Sequence, residues 1–318
     1  TIEFTYYKPA GDSTPDRIAM VEKAVDEGYN VIVMPGYAFG GTIVEVAPNY
    51  PDVKFVALDV AKGDLLETAV ANKGESYDYN PDNWKLEDYV DMSNVYCAIY
   101  QEELAGYMAG YAAVKLGYTK LGFLGGMAVP AVIRYGYGYV QGVDAAAADL
   151  GLTDVSLNYV YGGQFFGDAD ITAVMDTWYA GGTEVVFACG GGIWTSALDA
   201  AETHDGKVIG VDVDQRSKIG ERCLTSAMKG LPSAINNALD SYFSGNFSEL
   251  GGTAQQLGLK DGDYIGLPTD SESWGFTTFT QDQYETVLAG IRDGSIEISS
   301  DTENQPEVGS HVTVDYIS

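Results

Sequence analysis

Apolar and polar positions along the chain alternate between two periods. Short apolar runs that suit buried strands are followed by longer stretches whose apolar residues recur at helical spacing. Ile2 to Tyr7 predicts a short strand. Ser13, Thr14 and Pro15 then supply an N-cap and a pre-set first helical residue, Ile18, Val21 and Val25 follow at helical spacing, and Gly28 ends the helix. Val31 to Met34 predicts a buried strand, Thr42 to Tyr50 a short helix, and Lys54 to Leu58 another strand. After an interruption the series resumes with strands over Val95 to Tyr100, Lys120 to Leu124, Val155 to Val160, Glu184 to Cys189 and Lys207 to Val211. Between and after them come helices over Glu102 to Leu116, Pro130 to Leu150, Asp168 to Ala180, Thr195 to His204 and Pro232 to Phe243. A last helix spans Thr280 to Arg292.

Such alternation implies right-handed crossovers and mainly parallel sheets with helices on both faces, an α/β class. The 318 residues suit two such units better than one. A closed eight-fold barrel needs an unbroken series, and the polar stretch from Ala61 to Ser93 interrupts it; that stretch reads as a surface excursion tied down by Trp84, Leu86 and Tyr89.

Composition narrows the function. With 46 acidic against 17 basic side chains the net charge is −29, and no Lys/Arg cluster offsets it, so nucleic acid and anionic membrane surfaces are excluded as partners. The 23 Tyr, 11 Phe and 4 Trp exclude a disordered acidic chain. His204 and His311, the only histidines, lack a second ligand at metal spacing, and no metal or other cofactor is expected. Cys97, Cys189 and Cys223 lie in or beside apolar runs, the usual place for buried free thiols. No apolar run is long enough to span a bilayer.

In doubly wound sheets ligands bind beyond the carboxyl ends of strands, so the loops that follow them are the candidate sites. Tyr37 and Phe39 offer flat faces in the glycine-rich loop after Met34, and Gly190, Gly191, Gly192 and Trp194 follow the strand ending at Cys189. The glycine turn reads as a phosphate cradle, a tight turn or a backbone contact to a neutral ligand, and its spacing matches neither phosphate-binding pattern. Asp212, just past a strand, is open to three readings: Mg²⁺ ligand, hydroxyl acceptor or helix cap. Asp214 and Gln215 read as the cap and first turn of the next helix. Lys229, after an apolar stretch, either pairs with Asp212 or is a solvated lysine. No nucleophile has a neighbouring base, so no catalytic residue is proposed.

Ordered motifs add a resemblance. Gly36-Tyr-Ala-Phe39, Ala47-Pro-Asn-Tyr-Pro-Asp-Val-Lys-Phe55, Asp59, Asn94-Val95, Glu102 and Tyr107-Met-Ala-Gly-Tyr-Ala-Ala113 come first. Leu121-Gly-Phe-Leu-Gly-Gly-Met127, Gly190-Gly-Gly192, Gly210-Val-Asp-Val-Asp-Gln215, Thr225-Ser226 with Lys229, and Gly258-Leu-Lys-Asp-Gly262 follow. In this order the chain resembles the basic membrane protein family of ABC-transporter solute-binding lipoproteins, whose best-known members are purine nucleoside receptors. The resemblance implies a type I periplasmic-binding-protein fold: two Rossmann-like lobes, residues 1–95 plus about 228–255 and residues 96–227 plus about 256–318, with a ligand cleft between them. It implies a nucleoside whose ribose hydroxyls are held by Asp212 and Lys229. Trp194, Phe39 and Tyr37 would lie against the base and Gly190 to Gly192 against the ligand. It further implies an extracytoplasmic, lipid-anchored receptor serving a permease and ATPase. A sensing module and a nucleoside- or sugar-processing enzyme using Asp212 as base are the alternatives. Family members open with a further strand and helix carrying an Asp and an aromatic. That strand is central in the first lobe and is expected to be missing here, leaving unpaired backbone on both of its sides.

Overall fold

A computed structural model describes residues 2–317. In chain order the elements are α1 (Thr14–Asp26), β1 (Val31–Pro35), α2 (Gly40–Val46), β2 (Lys54–Leu58), α3 (Lys62–Asn72), β3 (Val95–Tyr100) and α4 (Glu102–Lys115). Next come β4 (Lys120–Gly125), α5 (Pro130–Leu150), β5 (Val155–Tyr161), α6 (Ala169–Ala180), β6 (Val185–Cys189) and α7 (Trp194–His204). Then follow β7 (Lys207–Asp212), α8 (Arg216–Ile219), β8 (Cys223–Lys229), α9 (Leu231–Phe243), β9 (Thr253–Leu257), β10 (Ile265–Gly266), α10 (Gln281–Asp293) and β11 (Val312–Tyr316). They divide into two units, Thr1–Ile99 with Leu231–Leu257, and Tyr100–Gly230 with Gly258–Ser318. Two open sheets replace the competing closed barrel.

The first unit has strand order β1-β2-β3-β9, with β1–β2 and β2–β3 parallel. Phe55, Ala57, Val95 and Cys97 of the sheet pack with Ile43, Val46, Leu65 and Ala69 of α2 and α3 in one core. The outer edge of β1 carries no further strand among the described residues. The strand expected over Ile2 to Tyr7 does not form: the segment has no regular structure, and Ile2, Phe4 and Tyr6 are exposed. An alternating segment becomes a strand only where a neighbour accepts its backbone hydrogen bonds. Tyr7 is anchored by its hydroxyl to Glu27 and by edge contact with Tyr29.

The excursion from Ala61 to Ser93 also differs from a purely irregular loop. Its first third is α3, whose Leu65, Leu66, Ala69 and Val70 are buried. The remainder folds around Asp78, which accepts hydrogen bonds from Asn83, Trp84 Nε1 and the Asn80 amide. These bonds hold the Asp78 carboxyl below the usual range. Tyr77, Trp84 and Tyr89 cluster ring to ring, and Lys62 Nζ donates to the Pro81 carbonyl at 2.8 Å.

The second unit has strand order β10-β8-β7-β6-β4-β5-β11, parallel except for the β10–β8 pair. β11, which the polar tail concealed in the sequence, extends the sheet beside β5. The order reverses at β4, with β5 on one side and β6 on the other, so the loops after β4 and β6 meet at a switch point. α4 is apolar nearly all round and is buried through most of its length. It crosses α5 backbone to backbone. A Cβ on Gly106, Gly110, Gly138 or Gly142 would come within 2.1, 2.3, 2.0 or 2.0 Å of a carbonyl oxygen on the facing helix. This close approach places the first turn of α4 against the start of α5.

Candidate functional site

Parallel strands bring their carboxyl ends to one edge, and in the second unit that edge gathers Gly190 after β6, Asp212 at the end of β7 and Lys229 at the end of β8. Asp212 lies opposite Met228, one residue before Lys229, so the expected pair forms: Lys229 Nζ is 3.4 Å from Asp212 Oδ1. The Lys229 side chain is 4% exposed and that of Asp212 35%, so the lysine is fixed from within while the carboxylate reaches solvent.

The structure adds partners that the sequence reading did not single out as site residues. Glu102, fully buried at the start of α4, approaches Lys229 at 3.5 Å and accepts a hydrogen bond from Arg134 Nε on α5 at 2.6 Å. The Lys229 ammonium also lies 5.7 Å from the Tyr100 ring centre and 5.4 Å from that of Tyr135, within cation–π range. Tyr135 in turn donates its hydroxyl to the Ala227 carbonyl at 3.2 Å. Asp212, Glu102, Lys229 and Arg134 sum to zero charge. An arginine inside an otherwise apolar helix start was the available signal; glutamates in so acidic a chain gave none.

Asp212 itself has φ +67°, a left-handed conformation that a non-glycine residue adopts at a cost of about 1 kcal/mol or more. The following turn holds it there. Gln215 folds back so that its side-chain oxygen accepts from the Val211 amide at 3.3 Å, and its own amide donates to Ser226 Oγ at 3.0 Å. A Cβ on Gly210 would meet both Gln215 and Ser226 at 2.7 Å, which accounts for the glycine in this motif. Asp214 accepts from the Arg216 amide at the start of α8, and its other oxygen accepts from Ser273 Oγ.

The glycine turn at Gly190 to Gly192 is shaped around an aromatic ring. Gly190 and Gly191 have φ of +138° and +52°, and a Cβ on either would strike Phe165 at 2.8 or 2.7 Å. The Gly192 amide donates to the Phe165 carbonyl at 2.7 Å. The turn is tight and packs closely against the loop after β5. Phe165 was not foreseen, because the reason for these glycines lies 25 residues upstream of Gly190. Trp194, half-buried at the start of α7, packs against the core of its own unit.

Tyr37 and Phe39 belong to the first unit, in the turn after β1. Phe39 packs on the core with the Arg17 guanidinium 5.7 Å from its ring centre, and Arg17 is paired with Asp12. Burial, reinforced by Asp12, raises the Tyr37 hydroxyl above its ordinary value. Asp59, with φ +61°, directly follows β2, and Asp64 caps α3 by accepting from the Ala61 amide at 2.7 Å. His204 is bonded to Asp176 and His311 to the Leu152 carbonyl, and the three cysteines are buried and unpaired.

Glu103 gives the buried cluster a pH signature. Desolvation, with the Glu102 charge adding to it and Arg134 4.0 Å away opposing, pushes its carboxyl up to about 7. In the unfolded chain the group ionises near the ordinary glutamate value of about 4.3, so between there and about pH 7 the folded state keeps a proton that the unfolded state releases. Its contribution to stability is therefore present at low pH and lost as pH rises through that window, on the order of 3 kcal/mol in all. Denaturant melts at pH 5 and pH 8 are expected to show Glu103→Gln gaining stability relative to the native chain at the higher pH. A constant difference between the two proteins would contradict the assignment.

Parallel α/β sheets with a pair of opposite charges at a carboxyl edge suit the capture of a small polar solute. Residues 1–301 match the family of PnrA-like ABC transporter substrate-binding proteins, and the chain belongs to that family. It is 27% identical to the ABC transporter nucleoside-binding protein BmpA of Lactococcus lactis subsp. cremoris, over 93% of this chain and 78% of that protein. It is also 27% identical to Basic membrane protein B of Borreliella burgdorferi, over 77% of this chain and 64% of that protein, so it spans a little under two thirds of that relative's length. An ABC transporter solute-binding protein from Aeropyrum pernix K1 shares the fold, with a TM-score of 0.68 at 20% identity over 92% of this chain and 83% of that one. The family is one of substrate-binding proteins, not a class of enzymes.

Proposed function

We propose that this protein captures a nucleoside, a purine nucleoside above others, outside the cytoplasm and hands it to the membrane permease and ATPase of an ABC importer. The observation that carries this reading is the Asp212–Lys229 pair, an acceptor and a donor 3.4 Å apart with the carboxylate reaching solvent, a spacing that suits two neighbouring ribose hydroxyls. Phe165 and Trp194, both of the second unit, supply candidate flat faces for a base. The printed function of the Lactococcus relative, nucleoside binding, points the same way. Attachment by a lipid, implied by the resemblance, belongs to the same proposal.

Asp212→Asn tests the pair cleanly, because asparagine tolerates a left-handed backbone and only the charged acceptor is lost. Affinity for the nucleoside is expected to fall by about 1–3 kcal/mol, or roughly five- to 150-fold. Calorimetric titration reads this directly, and unchanged affinity would remove Asp212 from the site.

A further inference from the structure

We propose that Glu102 is the positioning residue of this site: buried away from any ligand, it holds Lys229 in place and keeps it a cationic donor, with Arg134 bracing it from behind. The inference rests on the nucleoside reading for what Lys229 touches, but its physical basis is independent of the ligand's identity.

The geometry is that of a chain of paired charges fixed in the core. Glu102 Oε1 faces Lys229 Nζ at 3.5 Å and Oε2 accepts from Arg134 Nε at 2.6 Å, so each oxygen serves one cation. The Glu102 side chain is 1% exposed and Lys229 4%, so both charges are shielded from solvent and rely on protein partners. A buried ammonium without sufficient anionic partners sheds its proton, because desolvation penalises only the charged form. Groups facing Lys229 among the described residues include Asp212 at the end of β7, Glu102 on α4, the Tyr100 ring at the end of β3, the Tyr135 ring on α5, and, further off, Cys189 at the end of β6. Behind Glu102 stand Arg134 and Glu103. Asp212 is the one carboxylate of this set that reaches solvent, so it is the one that a ligand's hydroxyls would engage. Glu102 then remains as the permanent counter-charge while Asp212 is shared with ligand.

The division of labour between adjacent glutamates follows from one guanidinium. Arg134 sits 2.6 Å from Glu102 and 4.0 Å from Glu103, so Glu102 takes the strong hydrogen bond and Glu103 is left with a distant partner. The glycine contacts between α4 and α5 impose this arrangement, since Gly138 of α5 packs on the Glu103 carbonyl.

The test uses Glu102→Gln in the full chain, with ¹⁵N-labelled lysine side chains followed by NMR and nucleoside affinity followed by calorimetry between pH 6 and pH 10. The Lys229 ammonium is expected to titrate at lower pH in the variant than in the native protein. Affinity is expected to drop about tenfold at neutral pH and further as pH rises, while the native profile stays flatter over the same range. Glu102→Asp, which restores the charge at shorter reach, is expected to recover part of the loss. If Glu102→Gln does not fold, the double variant Glu102→Gln/Arg134→Gln removes both charges together and gives the same Lys229 reading. An unchanged Lys229 titration overturns the proposal. Absence of nucleoside binding by the native chain overturns the ligand reading alone, since the lysine titration still decides the role of Glu102.

Discussion

Replacing Lys229 with methionine is expected to cost about 3 kcal/mol of folding stability and to weaken ligand binding by at least about a hundredfold. The side chain is buried, and its ammonium lies between Asp212 at 3.4 Å and Glu102 at 3.5 Å. Methionine fills a similar volume, so packing is largely kept and the loss isolates the charge. Breaking a buried pair usually costs about 3–5 kcal/mol because the remaining partner is stranded without water. The lower end applies here because Arg134 stays on Glu102 and Asp212 reaches solvent. Denaturant unfolding with calorimetric titration separates the two effects. A variant of native stability that still binds ligand would show Lys229 to be peripheral to both.

Gly138→Ala is expected to destabilise the protein by about 3 kcal/mol, opposite in sign to the usual effect of alanine in a helix. In an unconstrained helix interior the change gains about 1 kcal/mol from propensity. Here the added Cβ would stand 2.0 Å from the Glu103 carbonyl, a backbone atom of a helix buried on nearly all sides. Relief requires α4 and α5 to part, and overpacking of this kind costs about 1–3 kcal/mol or more. The same separation would stretch the Arg134–Glu102 hydrogen bond, so ligand affinity is expected to fall with stability. Thermal melts of the alanine variant would settle the sign, and a stabilised protein would mean that the two helices are less tightly opposed than described.

The elements that local chemistry punctuates were legible in the chain. α5 begins at Pro130, as predicted, and ends at Leu150 before Gly151, which takes φ +66°. α6 is capped by Asp168 through the Ile171 amide, and α10 by Thr280 and Gln283. Ile2 to Tyr7 has the right alternation and still forms no strand, because pairing depends on a neighbouring backbone that local sequence does not describe. β11 was hidden for the converse reason: five residues of modest apolarity become a strand because β5 offers them an edge.

The candidate site divides along the same line. Asp212 and Lys229 were visible because each stands at the carboxyl end of an apolar strand run, where an α/β sheet places its ligand groups. Glu102 and Arg134 were not, since their partnership joins residues 32 apart and depends on a glycine-lined helix crossing. Phe165 was missed although Gly190 clears its ring and Gly191 its backbone carbonyl.

Calorimetric titration of the purified chain with a panel of purine and pyrimidine nucleosides tests the central claim most directly. Saturable one-to-one binding of a nucleoside, tighter for purines and weakened by Asp212→Asn, is the predicted result. Binding of no nucleoside, with saturable uptake of a ligand from another chemical class, would contradict it.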